Sequence, residues 1–350
     1  MSVTEIDFQR EMEQERIEEI AILSRPSIAV VGLGGAGCNI VSWIKQRGIV
    51  GGKLLALNTD ANHLATVMAD KRILIGEKIC KGLGSGGYPE TGERALRENL
   101  DQIMKELAGT SIVFIVAGLG GGTGTGASCA LAEALSDSGK LLIGVVTLPF
   151  EVERVRSRTA KKGLLRLMKS CDTVVAIDNN KLVRVAGDLA FRQALGVANE
   201  LIGVFVKDIT ETITTASLIN LDYMDLRVIM EKRGLAAIGV GYGTGEDKIE
   251  KAVKIALEGQ LLDIEDVTKS HGVLIHVSGG RDMTLEEVTK AGEMVMRSLP
   301  PETKIVWGAR VSDDPEMEGK AHVMVILTGV ESKFLSREKR RFRFPSLRLF

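Results

Sequence analysis

The chain has 350 residues, of which 45% are hydrophobic and 26% are charged, the balance of an ordinary globular protein. Its formal net charge of −1 argues against a nucleic-acid partner, since nucleic-acid binders usually carry a strong basic excess. No run of about 18 apolar residues predicts a membrane span, and the acidic N-terminus lacks a secretory signal core. The four cysteines are scattered, so we expect buried free thiols and a cytoplasmic protein.

The first predicted elements alternate between strands and helices after a charged, helical N-terminal extension at residues 1–26. Strands are expected at residues 27–31, 53–58, 72–75, 111–117, 141–147 and 173–177. Helices are expected at residues 90–107, 125–136 and 158–169. Strands that alternate with helices indicate βαβ units, so the predicted fold class is α/β with a doubly wound, mostly parallel sheet.

A long helical pattern follows, and then a second set of elements. In that set, strands are expected at residues 236–241, 273–277, 304–311 and 322–328, and helices at 247–257 and 285–297. The predicted organisation is a Rossmann-like domain at 27–186, a central helix at 187–214 and a smaller mixed α/β domain at 215–330. Residues 331–350 are expected to be a basic tail outside either core.

A glycine-rich turn follows the first predicted strand. Gly32 to Gly37 reads GLGGAG and satisfies the G-x-G-x-x-G pattern of dinucleotide-binding turns. Glycines permit positive φ angles, let the backbone approach phosphate oxygens and open a helix whose amides donate to an anion. In a dehydrogenase, an acid about 20 residues further on would end the second strand. Here Asp60 comes late, after Asn58 and Thr59, which argues against that class.

A second and richer run, Gly120 to Gly126, reads GGGTGTG between the fourth strand and the next helix. Consecutive glycines cost conformational entropy, so a purely structural origin explains them poorly. Glycines and hydroxyls at this spacing wrap phosphate oxygens, here with backbone amides and the hydroxyls of Thr123 and Thr125. The sequence has no G-x-x-x-x-G-K-[ST] motif, which excludes a P-loop and its lysine.

A third glycine cluster, from Gly82 to Gly87, precedes the helix predicted at residues 90–107. By itself such a cluster is typical of a flexible surface loop. Three glycine loops after three strands of one parallel sheet would open on the same edge, where doubly wound proteins bind ligands. The sequence therefore predicts a phosphate-binding site at that edge.

These motifs resemble the FtsZ/tubulin family, and its bacterial and archaeal FtsZ branch in particular. The resemblance covers residues 27–330 and is carried by GGGTGTG, Gly32–Asn39, Asn58–Asp60, Gly82–Glu90 and Asn220–Asp225. It implies a GTPase that binds GTP and GDP with Mg²⁺ and polymerises with itself, head to tail, into filaments. It also implies a role in septation, in the cell-division ring at mid-cell.

The resemblance also implies a set of nucleotide-binding residues. They are Gly34, Gly35, Ala36, Gly37, Cys38, Asn39, Gly84, Ser85, Gly86, Gly121, Gly122, Thr123, Gly124, Thr125, Glu153, Ser157, Asn179 and Glu200. The first two loops would hold the α- and β-phosphates, and the third would sense the γ-phosphate. Glu153 would contact the ribose, whereas Asn179 and Glu200 would read guanine. No side chain is implied as a metal ligand.

Catalysis is implied for Asp222, Asp225 and Asn220. In isolation an Asn or Asp before a helix is equally typical of an N-cap. In the family, this loop of one subunit reaches the nucleotide bound by the next, and its carboxylates would polarise and orient the attacking water. Such a head-to-tail contact generates an open filament.

Several positions depart from the family pattern around the base. Ser157 stands where a basic residue is usual, so either Ser157 or the flanking Arg156 and Arg158 would contact the nucleotide. Glu200 stands where Asp is commoner, and Asp178 stands where Pro is usual. These departures concern base recognition more than hydrolysis.

The C-terminal tail has the composition of a docking segment. Arg337–Phe350 interleaves basic and aromatic residues, which suggests docking on a membrane-adaptor protein or an anionic membrane surface.

The alternatives to a GTPase are a nucleotide-binding scaffold of the same fold without turnover, and an NAD-dependent oxidoreductase that rests on Gly32–Gly37 alone. The four histidines lack the spacing of zinc ligands.

Overall fold

The computed structural model describes residues 26–186, 191–214, 221–259, 261–262, 269–312 and 314–336, with residues 16, 264 and 266 as isolated positions. Apart from residues 16 and 26, the predicted extension at residues 1–26 lies outside this set, as does Arg337–Phe350. Among the described residues, no helix combines the length and the apolar character that crossing a membrane requires.

The elements up to residue 186 alternate as the sequence predicted. The strands are β1 (Ile28–Leu33), β2 (Gly52–Asn58), β3 (Lys71–Leu74), β4 (Ile112–Gly118), β5 (Leu141–Leu148) and β6 (Thr173–Asp178). The helices are α1 (Gly34–Arg47), α2 (Ala61–Ala65), α3 (Glu77–Cys80), α4 (Pro89–Glu98), α5 (Leu100–Glu106), α6 (Gly122–Leu135), α7 (Arg154–Ser170) and α8 (Asn179–Ala186).

A long helix and a second set of elements follow. The helices are α9 (Phe191–Thr214), α10 (Tyr223–Met230), α11 (Lys248–Glu258), α12 (Leu285–Met296) and α13 (Lys333–Ser336). The strands are β7 (Gly234–Thr244), β8 (Gly272–Gly279), β9 (Lys304–Val311) and β10 (Lys320–Thr328).

The strands of the described chain form one sheet of ten, in the order β3-β2-β1-β4-β5-β6-β7-β10-β8-β9. Strands β1 to β6 pair in parallel, and β10 pairs antiparallel with both β7 and β8. A short parallel pairing of residues 173–175 with residues 234–236 joins the two sets of strands. This continuity was not predicted, because patterns within each strand do not reveal its neighbours. The mostly parallel, doubly wound sheet was predicted and is confirmed.

Helices cover both faces of the sheet, which explains the apolar strands. Every residue of β1 is buried, and alternate residues of this strand belong to two hydrophobic clusters, one on each face. Cys38, Cys80, Cys129 and Cys171 are buried free thiols, as predicted. Burial raises the pKa of Cys38 to about 12, so this thiol is not a nucleophile at neutral pH.

Three helices differ from the prediction, one of them α7, which begins at Arg154, four residues earlier than predicted. The helix expected at 90–107 is divided at Asn99, whose side-chain oxygen accepts from the Gly76 amide at 2.9 Å. Helix α6 begins at Gly122, three residues earlier than predicted, so five of the seven residues of the GGGTGTG run are helical. Close packing against α4 explains these glycines, because a Cβ on Gly126 would lie 1.9 Å from the carbonyl oxygen of Pro89.

Candidate nucleotide-binding site

The site lies where the chain reverses its direction of winding. Strands β1 and β4 are neighbours, and the connections that leave them lead to β2 on one side and to β5 on the other. In a doubly wound sheet, ligands bind at the carboxyl ends of such a pair of strands. Helices α1 and α6 both begin at this point.

Glycines bring the two helix N-termini together. Gly34 has a φ of +69°, and a Cβ there would lie 2.8 Å from the Gly124 amide nitrogen. On the other side of α6, a Cβ on Gly124 would lie 2.4 Å from the Gly118 carbonyl oxygen. Only glycine fits at these two positions, so the first two sequence motifs form one surface.

Two neighbouring glycines face open space instead. A Cβ on Gly35 or on Gly121 would have no neighbouring atom within 4 Å. Gly35 is exposed in the first turn of α1, and Gly121 precedes the first turn of α6. These two positions therefore border the cleft into which the helices open.

The N-termini of α1 and α6 are suited to an anion. Neither has a side-chain cap, and neither has an acidic residue in its first turn. The first amides of a helix lack partners within the helix, and the helix dipole places partial positive charge there. Together they form a backbone cradle for phosphate oxygens.

Buried hydroxyl groups hold the glycine loops together. Thr123 Oγ1 lies 2.7 Å from Thr59 Oγ1 and 2.9 Å from Ser85 Oγ. Thr125 Oγ1 accepts from the Gly120 amide at 2.8 Å. The sequence predicted that the Thr123 and Thr125 hydroxyls hold phosphate, but both already have protein partners. Backbone amides of the same loops are therefore further candidate donors to a phosphate.

The third glycine loop folds over this junction. Gly84, Gly86 and Gly87 have φ values of +87°, +64° and +83°, which side-chain-bearing residues rarely adopt. The Gly84 amide donates to the Thr59 carbonyl oxygen at 3.0 Å, and Ser85 is buried beside Thr123. All three predicted loops therefore meet at one edge, although the third follows the short helix α3 rather than a strand.

Sequence reasoning missed two residues of the site, Thr59 and His63. His63 Nε2 lies 3.0 Å from Asn39 Oδ1, and His63 Nδ1 lies 3.2 Å from Asn58 Nδ2. His63 thereby holds the side chain of Asn39, which lies in the second turn of α1. The signal in the sequence was Asn58-Thr59-Asp60 directly after a strand, which pointed to this edge but not to these partners.

The segment that carries Glu153 lies beside the second loop. Glu153 Oε1 accepts from the Phe150 amide at 3.2 Å, and Glu153 Oε2 accepts from Arg156 at 2.8 Å. The backbone of Arg156 lies close to Gly120, because a Cβ added to Gly120 would lie 3.0 Å from the Arg156 carbonyl oxygen. Ser157 is half-buried, and its hydroxyl donates to the Phe150 carbonyl at 3.5 Å.

The predicted base-reading residues lie on α8 and α9. Asn179 begins α8, and its Oδ1 is buried without a hydrogen-bond partner among the described residues. A buried acceptor of this kind is costly unless a ligand or water satisfies it. Glu200 is exposed on α9, and its charge adds to burial in raising the pKa of Tyr242 to about 12. Glu200 is therefore within electrostatic reach of β7.

Asp222 and Asp225 form a capping box at the start of α10. Asp222 Oδ1 accepts from the Asp225 amide at 2.7 Å, and Asp225 Oδ2 accepts from the Asp222 amide at 3.4 Å. Asp222 is exposed and Asp225 is half-buried, so both carboxylates keep oxygens that face solvent. The third predicted catalytic residue, Asn220, lies outside the described residues.

These aspartates lie toward the amino ends of the strands, whereas the glycine loops lie at the carboxyl ends. Helix α9 has 24 residues and so spans about 36 Å. At its C-terminus Thr214 Oγ1 donates to the Val50 carbonyl, which lies just before the amino end of β2. The last residue of α10, Met230, accepts from Thr173 at the amino end of β6. One copy of the chain therefore cannot bring the carboxylates to its own phosphate cradle.

Comparison with known proteins shows which family the chain belongs to. The model of the Tubulin/FtsZ family GTPase domain matches residues 27–187, and that of the FtsZ family C-terminal domain matches residues 234–331. Cell division protein FtsZ 2 of Methanocaldococcus jannaschii is 45% identical over 308 residues, which are 87% of this chain and 80% of that protein. Cell division protein FtsZ 1 of Pyrococcus furiosus is 41% identical over 338 residues, which are 96% of this chain and 90% of that protein.

Solved structures show the same relationship. An empty FtsZ dimer from M. jannaschii has a TM-score of 0.85 at 41% identity and covers 91% of this chain and 92% of that chain. CetZ2 from Haloferax volcanii has a TM-score of 0.75 at 23% identity and covers 89% of this chain and 97% of that chain, so it shares the fold alone. The predicted resemblance is confirmed, and the chain belongs to the FtsZ family of tubulin-like cell-division GTPases.

Proposed function

We propose that this chain hydrolyses GTP at a site that two copies complete, with the glycine loops of one copy facing Asp222 and Asp225 of the next. The observation that carries the proposal is that the glycine loops lie at the carboxyl ends of the strands, whereas the helix that begins with Asp222 and Asp225 packs at the amino ends. Hydrolysis then depends on head-to-tail contact, and a contact of this kind produces a filament.

The proposed chemistry follows from the groups on each side. Backbone amides at the starts of α1 and α6 hold the α- and β-phosphates, and the loop at Gly84–Gly86 contacts the γ-phosphate. Asp222 and Asp225 of the neighbouring copy orient the attacking water toward that phosphate. Asn220 is proposed to assist them.

We take the substrate to be GTP that carries Mg²⁺. Among the described residues, no three His, Cys, Asp or Glu side chains are grouped to hold a metal ion. Mg²⁺ commonly keeps several waters and binds mainly through substrate phosphates, which suits a cradle of backbone amides. The ion would neutralise charge on the β- and γ-phosphates.

Guanosine recognition is assigned to side chains around β5 and β6. Glu153 is held by Phe150 and Arg156 beside the second loop, which suits a contact with the ribose. The buried oxygen of Asn179 can accept from a base amino group, as can the carboxylate of Glu200. Ser157, Arg156 and Arg158 remain alternative contacts on this side.

An NAD-dependent oxidoreductase is a weaker candidate. The acid that would bind the cofactor ribose is Asp60, and its carboxylate caps α2 by accepting from the His63 amide at 3.1 Å. A non-hydrolysing scaffold differs from the proposed enzyme only in whether Asp222 and Asp225 act on water.

Turnover measured against protein concentration tests the proposal. Phosphate release per chain from GTP should rise steeply with concentration and then level, because each active site needs two copies. ATP serves as the matched control substrate, and phosphate release from ATP should be far slower. A specific activity that stays flat over a hundredfold range of concentration would contradict the shared site.

The cellular setting is proposed from the family and from the tail. We propose a cytoplasmic protein at the mid-cell division site, where Arg337–Phe350 binds a membrane adaptor or an anionic membrane. Deletion of residues 337–350 should leave GTP turnover intact and abolish sedimentation with anionic liposomes or with the adaptor. Unchanged sedimentation in both assays would contradict this role for the tail.

A further inference from the structure

A chain of side-chain hydrogen bonds joins the end of β6 to the segment after β5. Asp178 is buried, and its Oδ1 accepts from the Asn180 amide at 2.9 Å and from Asn180 Nδ2 at 2.6 Å. Asn180 Oδ1 in turn accepts from the Glu151 amide at 3.0 Å. The Asn180 side chain therefore has defined partners at both ends.

The two segments joined in this way carry the proposed nucleoside contacts. Asn179 lies between the linked residues Asp178, the last of β6, and Asn180 of α8, and Glu153 lies two residues beyond Glu151. Glu153 is tied to its own turn through the Phe150 amide. A shift of one segment relative to the other would separate the ribose contact from the base contact.

The arrangement exceeds what a helix cap requires. Capping α8 needs only the bond from the Asn180 amide to the carboxylate of Asp178. The additional bond from Asn180 Nδ2 orients the side-chain amide, so that its oxygen faces Glu151. Bonds to a carboxylate are stronger than bonds between neutral groups, which favours this orientation over the flipped one.

We propose that Asp178 and Asn180 are positioning residues that hold Glu153 and Asn179 in register on a single nucleoside. The inference rests on the proposed function, since that function assigns Glu153 to the ribose and Asn179 to the base. Neither Asp178 nor Asn180 needs to touch the nucleotide, and their effect passes through the backbone at Glu151 and Asn179.

The test compares four nucleotides on the full chain and three variants. Dissociation constants are measured for GDP, 2′-deoxy-GDP, IDP (which lacks the 2-amino group) and ADP. The variants are Asn180→Ala, Asn180→Asp, and the exchanged pair Asp178→Asn with Asn180→Asp. Melting temperatures are recorded for each protein, to separate positioning from stability.

The wild type should bind 2′-deoxy-GDP and IDP more weakly than GDP. In Asn180→Ala, GDP binding should weaken about five- to tenfold, as expected for the loss of hydrogen bonds that align the contacts. The factors by which 2′-deoxy-GDP and IDP bind more weakly than GDP, here called the two penalties, should shrink together. Asn180→Asp should behave similarly, because two carboxylates would face each other. The exchanged pair restores one donor and one acceptor, and it should recover both penalties.

Two results would overturn the inference. One is an Asn180→Ala variant that melts earlier but keeps both penalties, which is the behaviour of a helix cap alone. The other is an exchanged pair that recovers neither penalty. Failure of the proposed function is seen separately in the wild type, as equal binding of GDP and ADP, and the inference falls with it.

Discussion

At the scale of single residues, substitutions at Gly35 and Gly121 are expected to change nucleotide binding much more than folding. A methyl group at either position meets no protein atom within 4 Å. Gly35→Ala lies in the first turn of α1, where Ala is favoured over Gly by up to about 1 kcal/mol. We therefore expect Gly35→Ala to keep or raise the melting temperature and Gly121→Ala, at the N-cap of α6, to lower it slightly. Both should weaken GDP binding at least about tenfold, or about 1.4 kcal/mol.

Gly292→Ala is the matched control for these variants. It lies inside α12, where an added Cβ also meets no atom within 4 Å, far along the chain from the cleft. This variant should gain stability and bind GDP like the wild type. Tight GDP binding by Gly35→Ala and Gly121→Ala would show that phosphate does not occupy the cleft beside them.

The capping box at α10 allows catalysis to be separated from helix stability. Asp222→Asn and Asp225→Asn keep an oxygen that can accept the capping hydrogen bonds but remove the negative charge. We expect each to retain the wild-type melting temperature and nucleotide binding, and to lose at least about a hundredfold in phosphate release. Calorimetry and single-turnover phosphate release measure the two effects.

Thr284→Ala provides the opposite control. Thr284 and Glu287 form the equivalent capping box at the start of α12. Its loss should lower stability by about 1 kcal/mol and leave turnover unchanged. Normal turnover in Asp222→Asn and Asp225→Asn would mean that a different group catalyses hydrolysis, whereas an absence of phosphate release in the wild type would favour the non-hydrolysing scaffold.

The sequence predicted that the three glycine loops would meet at one end of the sheet, because glycines and hydroxyls recur in each loop in a short, recognisable order. It did not predict that the Thr123 hydroxyl would bond to Thr59 and Ser85, or that His63 would bond to Asn39. Those partners come from distant parts of the chain. Their distances depend on how strands and helices are stacked, which local spacing does not encode.

At the scale of elements, α9 meets the C-terminal strands through a buried ionisable cluster. A carboxylate oxygen of Asp208 lies 3.8 Å from His276 Nδ1 and 3.6 Å from His322 Nδ1. That oxygen has no hydrogen-bond partner among the described residues. One turn further on, Glu211 pairs with Arg310 of β9. The acidic residues of α9 thus face the histidines of β8 and β10 and the arginine of β9.

This cluster predicts a pH dependence of stability. Burial raises the pKa of Asp208 to about 7, a change that Arg310 and Lys207 partly oppose and Glu211 reinforces. Burial lowers the pKa of His276 to about 3 and of His322 to about 4, so both are neutral at pH 7. A carboxyl whose pKa rises on folding stabilises the fold below its unfolded pKa, and this contribution is lost as the pH rises through about 7.

The variant Asp208→Asn cannot ionise, so its stability relative to the wild type should increase between pH 5 and pH 7.5. The expected gain is at least about 1 kcal/mol, since one pKa unit corresponds to about 1.4 kcal/mol. Asp247→Asn, at an exposed carboxylate, is the control and should show no such trend. A relative stability of Asp208→Asn that stays constant from pH 5 to pH 7.5 would contradict this, because it would mean that the carboxylate is already ionised in the folded protein at pH 5.

Element types were largely predictable, whereas the start of α6 was not. A run of glycines normally opposes a helix, so the pattern favoured a loop up to Gly124. Packing against α4 overrides that preference, because a Cβ on Gly92 would lie 2.4 Å from the carbonyl oxygen of Gly122. Tertiary contact of this kind does not appear in a local pattern.

At the scale of the whole molecule, the two half-sites can be tested by mixing. The double variant Asp222→Asn, Asp225→Asn keeps its phosphate cradle, and the double variant Gly35→Ala, Gly121→Ala keeps its aspartates. Each should be inactive alone. An equal mixture should recover up to about a quarter of wild-type turnover, because about one contact in four combines an intact cradle with intact aspartates.

Mixing either inactive variant with an equal amount of itself, at the same total concentration, is the control. No recovery in the mixture, with both variants still able to form filaments, would mean that each copy hydrolyses its own nucleotide. Sedimentation of the mixed filaments establishes that the two variants are in contact.

The placement of the phosphate cradle and the aspartates on opposite edges has a consequence for filament ends. With the proposed active site shared between two copies, a filament of n copies contains n − 1 complete active sites, whatever its length. At one end the last copy exposes its aspartates to solvent, and at the other end the last copy holds a nucleotide that nothing hydrolyses. The two ends therefore differ chemically, and severing a filament creates one such protected nucleotide with each break.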